Sequence, residues 1–373
     1  SSKSKVHDIV EDDSGNTWLG LYQKGVVLLP KKINNFNYIG YESSELDIIG
    51  SNCVMSVFKD SKDILWVGTD GDGLYAISPE NKVIRHYKDQ NYLGSKLNTV
   101  VSIFEDSRNT IWVGTYLNGL AKLEEDASQI QFISNLVDEL GNPVKSIYTI
   151  VEDDRSNLWL GSMGSGLFKL NLETNAITAC NVEIADGPEG PKFFNNKWIN
   201  NLLLDRSRRL LYVASYDGIS KFDLEDQKFI SYTNGIRKFD GEIIYTIHSD
   251  TEDNLWLGTA NGLKKTDRVF KLLAHYTIED GLPNNTICAI EQDSNQMLWV
   301  STNHGISEFN PDKESFLNYY FNDGLQGNEF SKNASYLHQE NQLIFGGMNG
   351  VTYFNPQTIL DTEKQPEIYI IDV

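Results

Sequence analysis

Asp106-Ser107-Arg108-Asn109-Thr110-Ile111-Trp112-Val113-Gly114-Thr115, followed after a short gap by Gly119-Leu120, decides how the rest of the chain is read. It holds an acidic turn, a short apolar strand built on an aromatic residue, a glycine, a second turn, and a Gly-Leu pair opening another strand. The phrase returns at Trp18, Trp66, Trp112, Trp159, Tyr212, Trp256, Trp299 and, more worn, Phe345, in steps of 48, 46, 47, 53, 44, 43 and 46 residues. A period of that size is the mark of a repeat architecture.

Spacing inside the phrase is tight. An Asp stands six residues before the aromatic in six copies: Asp12, Asp60, Asp106, Asp153, Asp250 and Asp293. Asp205 precedes Tyr212 by seven, and the eighth copy has Gln339. Two residues after the aromatic come Gly20, Gly68, Gly114, Gly161, Ala214, Gly258, Ser301 or Gly347. A Gly plus a branched aliphatic then follows in every copy, from Gly25-Val26 to Gly350-Val351.

Each phrase contains three strands. The first has the form apolar-x-x-apolar before the Asp (Val54…Val57, Val100…Ile103, Ile147…Ile150), the second carries the aromatic, and the third follows the Gly-Leu pair. A fourth, more variable strand is suggested by Phe36-Asn-Tyr38, His86-Tyr87, Phe229…Tyr232, Ala274-His-Tyr276 and Phe316…Tyr319. Short β-rich runs bounded by Gly, Asn, Asp and Pro indicate an all-β protein, and no long segment has helical periodicity. Four antiparallel strands every 45 residues or so make a β-propeller blade. The expected fold is therefore a β-propeller of four-stranded antiparallel blades, with eight phrases making seven or eight blades. The repeated aromatic is expected to fill the gap between neighbouring blades, and the glycine after it to permit close sheet-to-sheet approach.

Composition narrows the partners. The chain has 373 residues and a net charge of −20, which disfavours nucleic acid and anionic membrane surfaces, since both call for a basic face. Three scattered cysteines, Cys53, Cys180 and Cys288, make neither a disulfide framework nor a zinc site. No run approaches the roughly 18 apolar residues of a membrane span. The opening Ser1-Ser-Lys-Ser resembles an internal loop with no signal peptide, as if cut from a longer chain.

The phrase closely resembles the two-component regulator propeller repeat, whose motif runs Val-x-x-Ile-x-x-Asp-x-x-Gly-x-Leu-Trp-x-Gly-Thr-x-x-x-Gly-Leu; Val100 to Leu120 matches it nearly throughout. The Gly281-Leu-Pro-Asn-Asn connector and the run Asn341 to Pro356 are also similar to that family's last blades. Such repeats form the periplasmic sensor region of hybrid two-component systems in Bacteroidetes. The resemblance implies a ligand-sensing, non-catalytic fragment of an inner-membrane receptor, placed in the periplasm, whose relatives detect glycan-derived oligosaccharides. It divides the chain into a propeller over 1–365 and a segment 366–373, either a closing strand or the first strand of a following immunoglobulin-like Tyr-rich domain. Implied partners are an oligosaccharide, a neighbouring propeller and the immunoglobulin-like domain of the same receptor, and a second receptor in a homodimer. No nucleic acid, cofactor or metal is implied, and the membrane enters only through a transmembrane segment outside this stretch. Seven blades are usual in the family, so the Trp18 phrase either adds an eighth or belongs to a preceding propeller.

Strand order places the ligand. Turns between first and second strands share one face of the disc with those between third and fourth. Loops between second and third strands share the other face with the blade-to-blade connections. The first set is monotonous (Asp12-Asp-Ser-Gly-Asn-Thr, Asp106-Ser-Arg-Asn-Thr-Ile) and suits tight Asx-type turns. The second set varies, and varied loops on a rigid scaffold are where recognition is built. Its candidates are Tyr22, Lys24, Asp70, Asp72, Tyr116, Asn118, Tyr216, Asp217, Asn261, Asn303, His304 and Asn349, joined by Asn196 and Trp198 from the long insertion and by Asn328 and Glu329 near the end. Flat rings pack on pyranose C–H faces, while amides and carboxylates pair with hydroxyls.

Enzyme chemistry has weaker support. Asp13-Ser-Gly-Asn-Thr-Trp18 partly resembles the sialidase Asp-box, itself a structural turn, and Arg108, Arg155 and Arg206 lie in the turns of the opposite face. A glycosidase needs paired carboxylates at a defined separation, and abundant acids do not supply a pair. No catalytic residue is expected. A protein-interaction propeller and a glycan-cleaving enzyme are the alternatives.

Overall fold

The computed structural model describes residues 5–13, 15–29, 36–40, 48–49, 53–88, 97–123, 129–181, 197–230, 239–338 and 341–359. Each ring blade is four antiparallel strands, sequential in the first six, as the phrase requires. Blades one to seven begin with the inner strands Val54–Lys59, Val100–Glu105, Ile147–Glu152, Ile199–Asp205, Ile244–Ser249, Ile287–Gln292 and Phe330–His338. Each inner strand lies against the next, and the seventh lies against the first, so seven blades close the ring.

The seventh blade takes its outer strand from the start of the chain. Asn37–Gly40 pairs with Gly350–Phe354 in the register Val351↔Ile39 and Thr352↔Tyr38. The Phe36-Asn-Tyr38 run is thus a fourth strand, but of the last blade and not of the Trp18 phrase. The two backbones meet so closely that a Cβ on Gly350 would lie 2.1 Å from the Ile39 carbonyl oxygen. Phe36 packs edge-on against Tyr319 and Phe354, which fastens this strand into the core between blades six and seven.

The Trp18 phrase stands apart. Val6–Glu11, Thr17–Leu21 and Gly25–Leu29 form a three-stranded sheet of their own. Trp18 is 40% exposed, whereas Trp66, Trp112, Trp159, Trp256 and Trp299 are 3% exposed or less. The ring tryptophans fill the seams between blades, as expected; Trp112, for example, packs with Ile147, Ile150 and Leu158 of the next blade. Truncating one to Ala should destabilise by about 3–5 kcal/mol.

The six-residue spacing has a chemical cause. In blade two, the Trp112 indole N–H donates to Asp106 Oδ2 at 2.8 Å, while Asp106 Oδ1 accepts from the backbone amides of Arg108 and Thr110. The same indole–carboxylate bond joins Trp66 to Asp60, Trp159 to Asp153, Trp256 to Asp250 and Trp299 to Asp293. One carboxylate therefore closes the turn and satisfies a buried donor that would otherwise be expensive to leave unmade.

The glycine after the aromatic is where blades touch. A Cβ on Gly114 would lie 2.2 Å from the Ile147 carbonyl oxygen, and one on Gly161 would lie 2.7 Å from Ile199 Cγ2. Both contacts fall on the first residue of the next inner strand. Gly20, outside the ring, would meet nothing closer than 3.7 Å. In the last blade the register corrects the sequence alignment by one residue. Gly346 pairs with Val351 and Ile344 with Tyr353, just as Gly68 pairs with Leu74 and Trp66 with Ala76. Ile344 therefore holds the place of the tryptophan, and Phe345 points to the other side of the sheet, into the seam with blade six. A one-residue shift along a strand exchanges its faces.

Candidate functional site

Every ring blade carries a bulge at the second residue of its inner strand. In blade three, Ile147 pairs with Ser162 and Thr149 with Gly161, leaving Tyr148 without a partner in the ladder. Met55, Val101, Asn200, Tyr245 and Cys288 are skipped in the same way. A bulge re-aims its side chain. Here Met55, Val101, Tyr148 and Asn200 line one cavity of ≈ 410 Å³ at the axis, on the face of the varied loops.

The seventh blade exaggerates the device. Phe330 pairs with Gly347 and Ser335 with Phe345, so residues 331–334 stand opposite Gly346 alone. This excursion crosses the axis. Ser331 Oγ lies 3.4 Å from Cys53 Sγ at the edge of blade one. Asn333, with φ of 57°, donates through Nδ2 to the carbonyls of Asn200 at 3.1 Å and Tyr245 at 3.0 Å, in blades four and five. Its Oδ1 accepts from Asn201 Nδ2 at 2.9 Å. Ser331, Lys332 and Asn333 all line the cavity and form its floor.

The remaining wall comes from loops and strand ends: Cys53, Asp70, Met163, Tyr216, Asn303, Glu329 and Met348. Aromatic rings form an arc on one side. Trp198 lies edge-on to Tyr216 at 6.1 Å, Tyr216 edge-on to Tyr245 at 6.5 Å, and Lys332 Nζ sits 4.5 Å over the Tyr245 ring. Burial, with Tyr116, Tyr216 and Asp70 nearby, pushes the Tyr148 hydroxyl up to about 12, so it remains a neutral donor. Burial also raises the thiols of Cys53 and Cys288, the latter to about 12, which makes them poor nucleophiles. Asp70 Oδ1 accepts from Thr99 Oγ1 at 3.0 Å. Aromatic faces, amides, methionines and both signs of charge converge on one cavity, which suits a polyhydroxylated ligand.

Of the loop candidates, Asp70, Tyr216, Asn303 and Glu329 line the cavity, and Trp198 borders it through Tyr216. Tyr116 is exposed within electrostatic reach of Tyr148. Others work within their own blades. Asp72 accepts from the Tyr75 hydroxyl at 2.5 Å and pairs with Lys88, and Asp217 Oδ1 accepts from the Gly241 amide at 2.5 Å. The backbone amides of Asn118, Asn261 and His304 donate to the threonine hydroxyls that shape their loops. Asn328 Oδ1 accepts from the Phe321 amide, and Asn349 is tied to Gln326. Tyr22 and Lys24 belong to the three-stranded sheet. Asn196 lies outside the described residues, as does segment 366–373.

The bulged residues Met55, Val101, Tyr148 and Asn200, and the floor residues 331–333, were not among the sequence candidates. One signal for them exists. In apolar-x-x-apolar, the first x changes chemistry from blade to blade (Met55, Val101, Tyr148, Asn200, Tyr245, Cys288), while the next residue stays small or polar (Ser56, Ser102, Thr149, Asn201, Thr246, Ala289).

Residues 48–71, 94–117 and 281–304 match the model of the two component regulator propeller family. No curated protein matches the sequence. Among solved structures, the extracellular domain assigned to the hybrid two component system BT3049 from B. thetaiotaomicron matches with a TM-score of 0.73 at 22% identity, covering 94% of this chain and 45% of that one. The extracellular domain assigned to the one component system BT4673 from the same organism matches at 0.67 and 18%, covering 95% and 46%. A catalytically inactive virginiamycin B lyase from Staphylococcus aureus matches at 0.62 and 12%, covering 86% and 98%. These likenesses establish the β-propeller fold. The chain spans less than half the length of the two B. thetaiotaomicron structures.

Proposed function

We propose, for a chain in which three segments match the two component regulator propeller model, the role of a non-catalytic, periplasmic ligand-sensing region of a hybrid two-component receptor. It binds a glycan-derived oligosaccharide in the axial cavity and passes occupancy to a kinase. The observation that carries this is the cavity itself: Tyr148, Tyr216, Asn200 and Asn303 converge on the axis from three blades, on the face where loop chemistry varies. A rigid ring that varies only its axial lining is a scaffold for recognition.

The three-stranded sheet then serves as a junction to a neighbouring propeller of the same receptor. Val10, Trp18, Val26 and Leu28 are exposed on it, although their counterparts in the ring are covered by the next blade. Segment 366–373 is read as the link to the immunoglobulin-like domain, and the full receptor as a homodimer. Among the described residues, no helix is long and apolar enough to cross a membrane, so in this reading the anchor lies elsewhere in the receptor.

Calorimetric titration with a broad panel of plant and host oligosaccharides tests the proposal. Saturable binding that Tyr148→Ala weakens is the expected result. Absence of binding to both this chain and the intact receptor would end it. A glycan-cleaving reading has one observation in its favour, since Asp70 and Glu329 share the cavity. Release of shortened product during the same titrations would establish that reading instead.

A further inference from the structure

The axial cavity is a blind funnel. Its wall includes the bulged residues of blades one to four, and its floor is set by residues 331–333, which span from Cys53 in blade one to Asn200 and Tyr245 in blades four and five. A propeller axis left open would admit a chain lying across or threading through it. Here the Asn333 amide occupies that path, tied to three groups on the far side of the ring. The volume of ≈ 410 Å³ lies near the lower end of ligand pockets, which run from about 300 to 1,000 Å³. That suits one or two sugar rings and is too small for an extended oligosaccharide.

We propose that this cavity recognises the terminus of a carbohydrate chain, inserted end-on along the axis to a depth of one or two rings, and does not recognise an internal stretch. The inference rests on the saccharide reading above and adds to it a mode of selection. Tyr148 and Tyr216 supply the flat faces, Asn303 lies beside the inserted ring with an amide suited to its hydroxyls, and Asn200 and Asn333, whose amides are bonded to neighbouring strands, shape the space around it. Lys332 belongs to the floor and Glu329 to the wall, so the inserted terminus meets one cation and one carboxylate. End-on entry makes affinity depend on which end of the chain is free, because a capped end cannot pass the ring of bulges.

The test uses the whole chain and homologous series of neutral malto-, xylo-, arabino- and fructo-oligosaccharides, together with a general plant and host glycan array, one to six rings long. Each series is prepared free, tagged with 2-aminobenzamide at the reducing end, and capped at the non-reducing end. Affinity for the series that binds should rise up to two rings and then change less than threefold up to six. One cap, and not the other, should weaken binding at least tenfold. Tyr148→Phe, which keeps the ring, should bind within threefold of the parent, while Tyr148→Ala should lose at least tenfold. Tyr22→Ala, on the separate sheet, should leave affinity unchanged. Affinity that keeps climbing to six rings, or indifference to both caps, overturns end-on recognition while leaving saccharide sensing intact. If no oligosaccharide binds either this chain or the intact receptor, sensing and end-on recognition fall together.

Discussion

Asn333 and Asn201 face each other across the propeller axis, 132 residues apart in sequence, with Asn201 Nδ2 donating to Asn333 Oδ1 at 2.9 Å. Asn333 returns the contact to the same region through its own amide, donating to the carbonyls of Asn200 and Tyr245. One side chain of the seventh blade therefore fastens the fourth and fifth.

Removing it leaves two partly buried carbonyls without their donor. Asn333→Ala should lower stability by about 1–3 kcal/mol, the range for an orphaned polar group. Asn201→Ala, which frees only one acceptor, should have a smaller effect. A double-mutant cycle by urea unfolding should show the two residues coupled by about 0.5–1.5 kcal/mol; strictly additive changes would contradict the contact.

Glycine substitutions separate the ring from the detached sheet. Gly114→Ala places a Cβ 2.2 Å from a backbone oxygen of the next blade, and the seam must open, a cost of about 1–3 kcal/mol for overpacking. Gly20→Ala occupies the same place in the phrase but meets nothing within 3.7 Å, so it should stay within about 0.5 kcal/mol of the parent. Thermal unfolding of the pair reads the difference directly.

Asp153 predicts an acid limb. Burial alone would raise its carboxyl, but the Trp159 indole, the Asn157 side chain and the backbone amides of Asn157 and Arg155 together hold it below its ordinary value. A folded-state value depressed below the unfolded one, near 3.9, contributes stability that is complete above about pH 4. That contribution is lost as pH falls through the folded value. Asp153→Asn should therefore lose stability at pH 7 and show a flatter decline below pH 4. Urea midpoints from pH 2 to 7 measure both effects.

Glu291 predicts the opposite slope. It lines the inner strand of blade six, where burial pushes it up to about 7 against the pull of the Ser335 hydroxyl, 2.7 Å away. Between the unfolded value, near 4.3, and about 7, the folded protein keeps a proton that the unfolded chain has released. Stability therefore falls as pH rises through that window, and the penalty is fully present above it. Glu291→Gln should be more stable than the parent at pH 8 and nearly equal to it at pH 4. Equal stability of the two proteins at pH 8 would count against a buried, proton-holding Glu291.

Much of the blade was legible because its determinants are local. Asp106 and Trp112 are six residues apart and bonded to each other, and Gly114 touches the first residue of the very next repeat. The face was legible too, since strand alternation alone puts Asp70, Tyr216, Asn303 and Glu329 at the same end of the disc. Individual loop residues were less so. Asn328 and Asn349 have the chemistry of a binding site, yet the Asn328 Oδ1 accepts from the Phe321 amide and the Asn349 Nδ2 donates to the Gln326 carbonyl, and composition does not distinguish a donor aimed at the axis from one turned into its own loop.

From sequence alone, then, come the repeated sheet, its aromatic seams and the rim on which chemistry varies, since each depends on contacts within one repeat or between successive ones. Tertiary structure decided the number of blades, the use of Asn37–Gly40 to complete the last of them, and the floor that residues 331–333 lay across the axis. Those features join residues more than a hundred positions apart. Such contacts leave no periodic trace in the chain, because closing a ring and plugging its centre each happen only once.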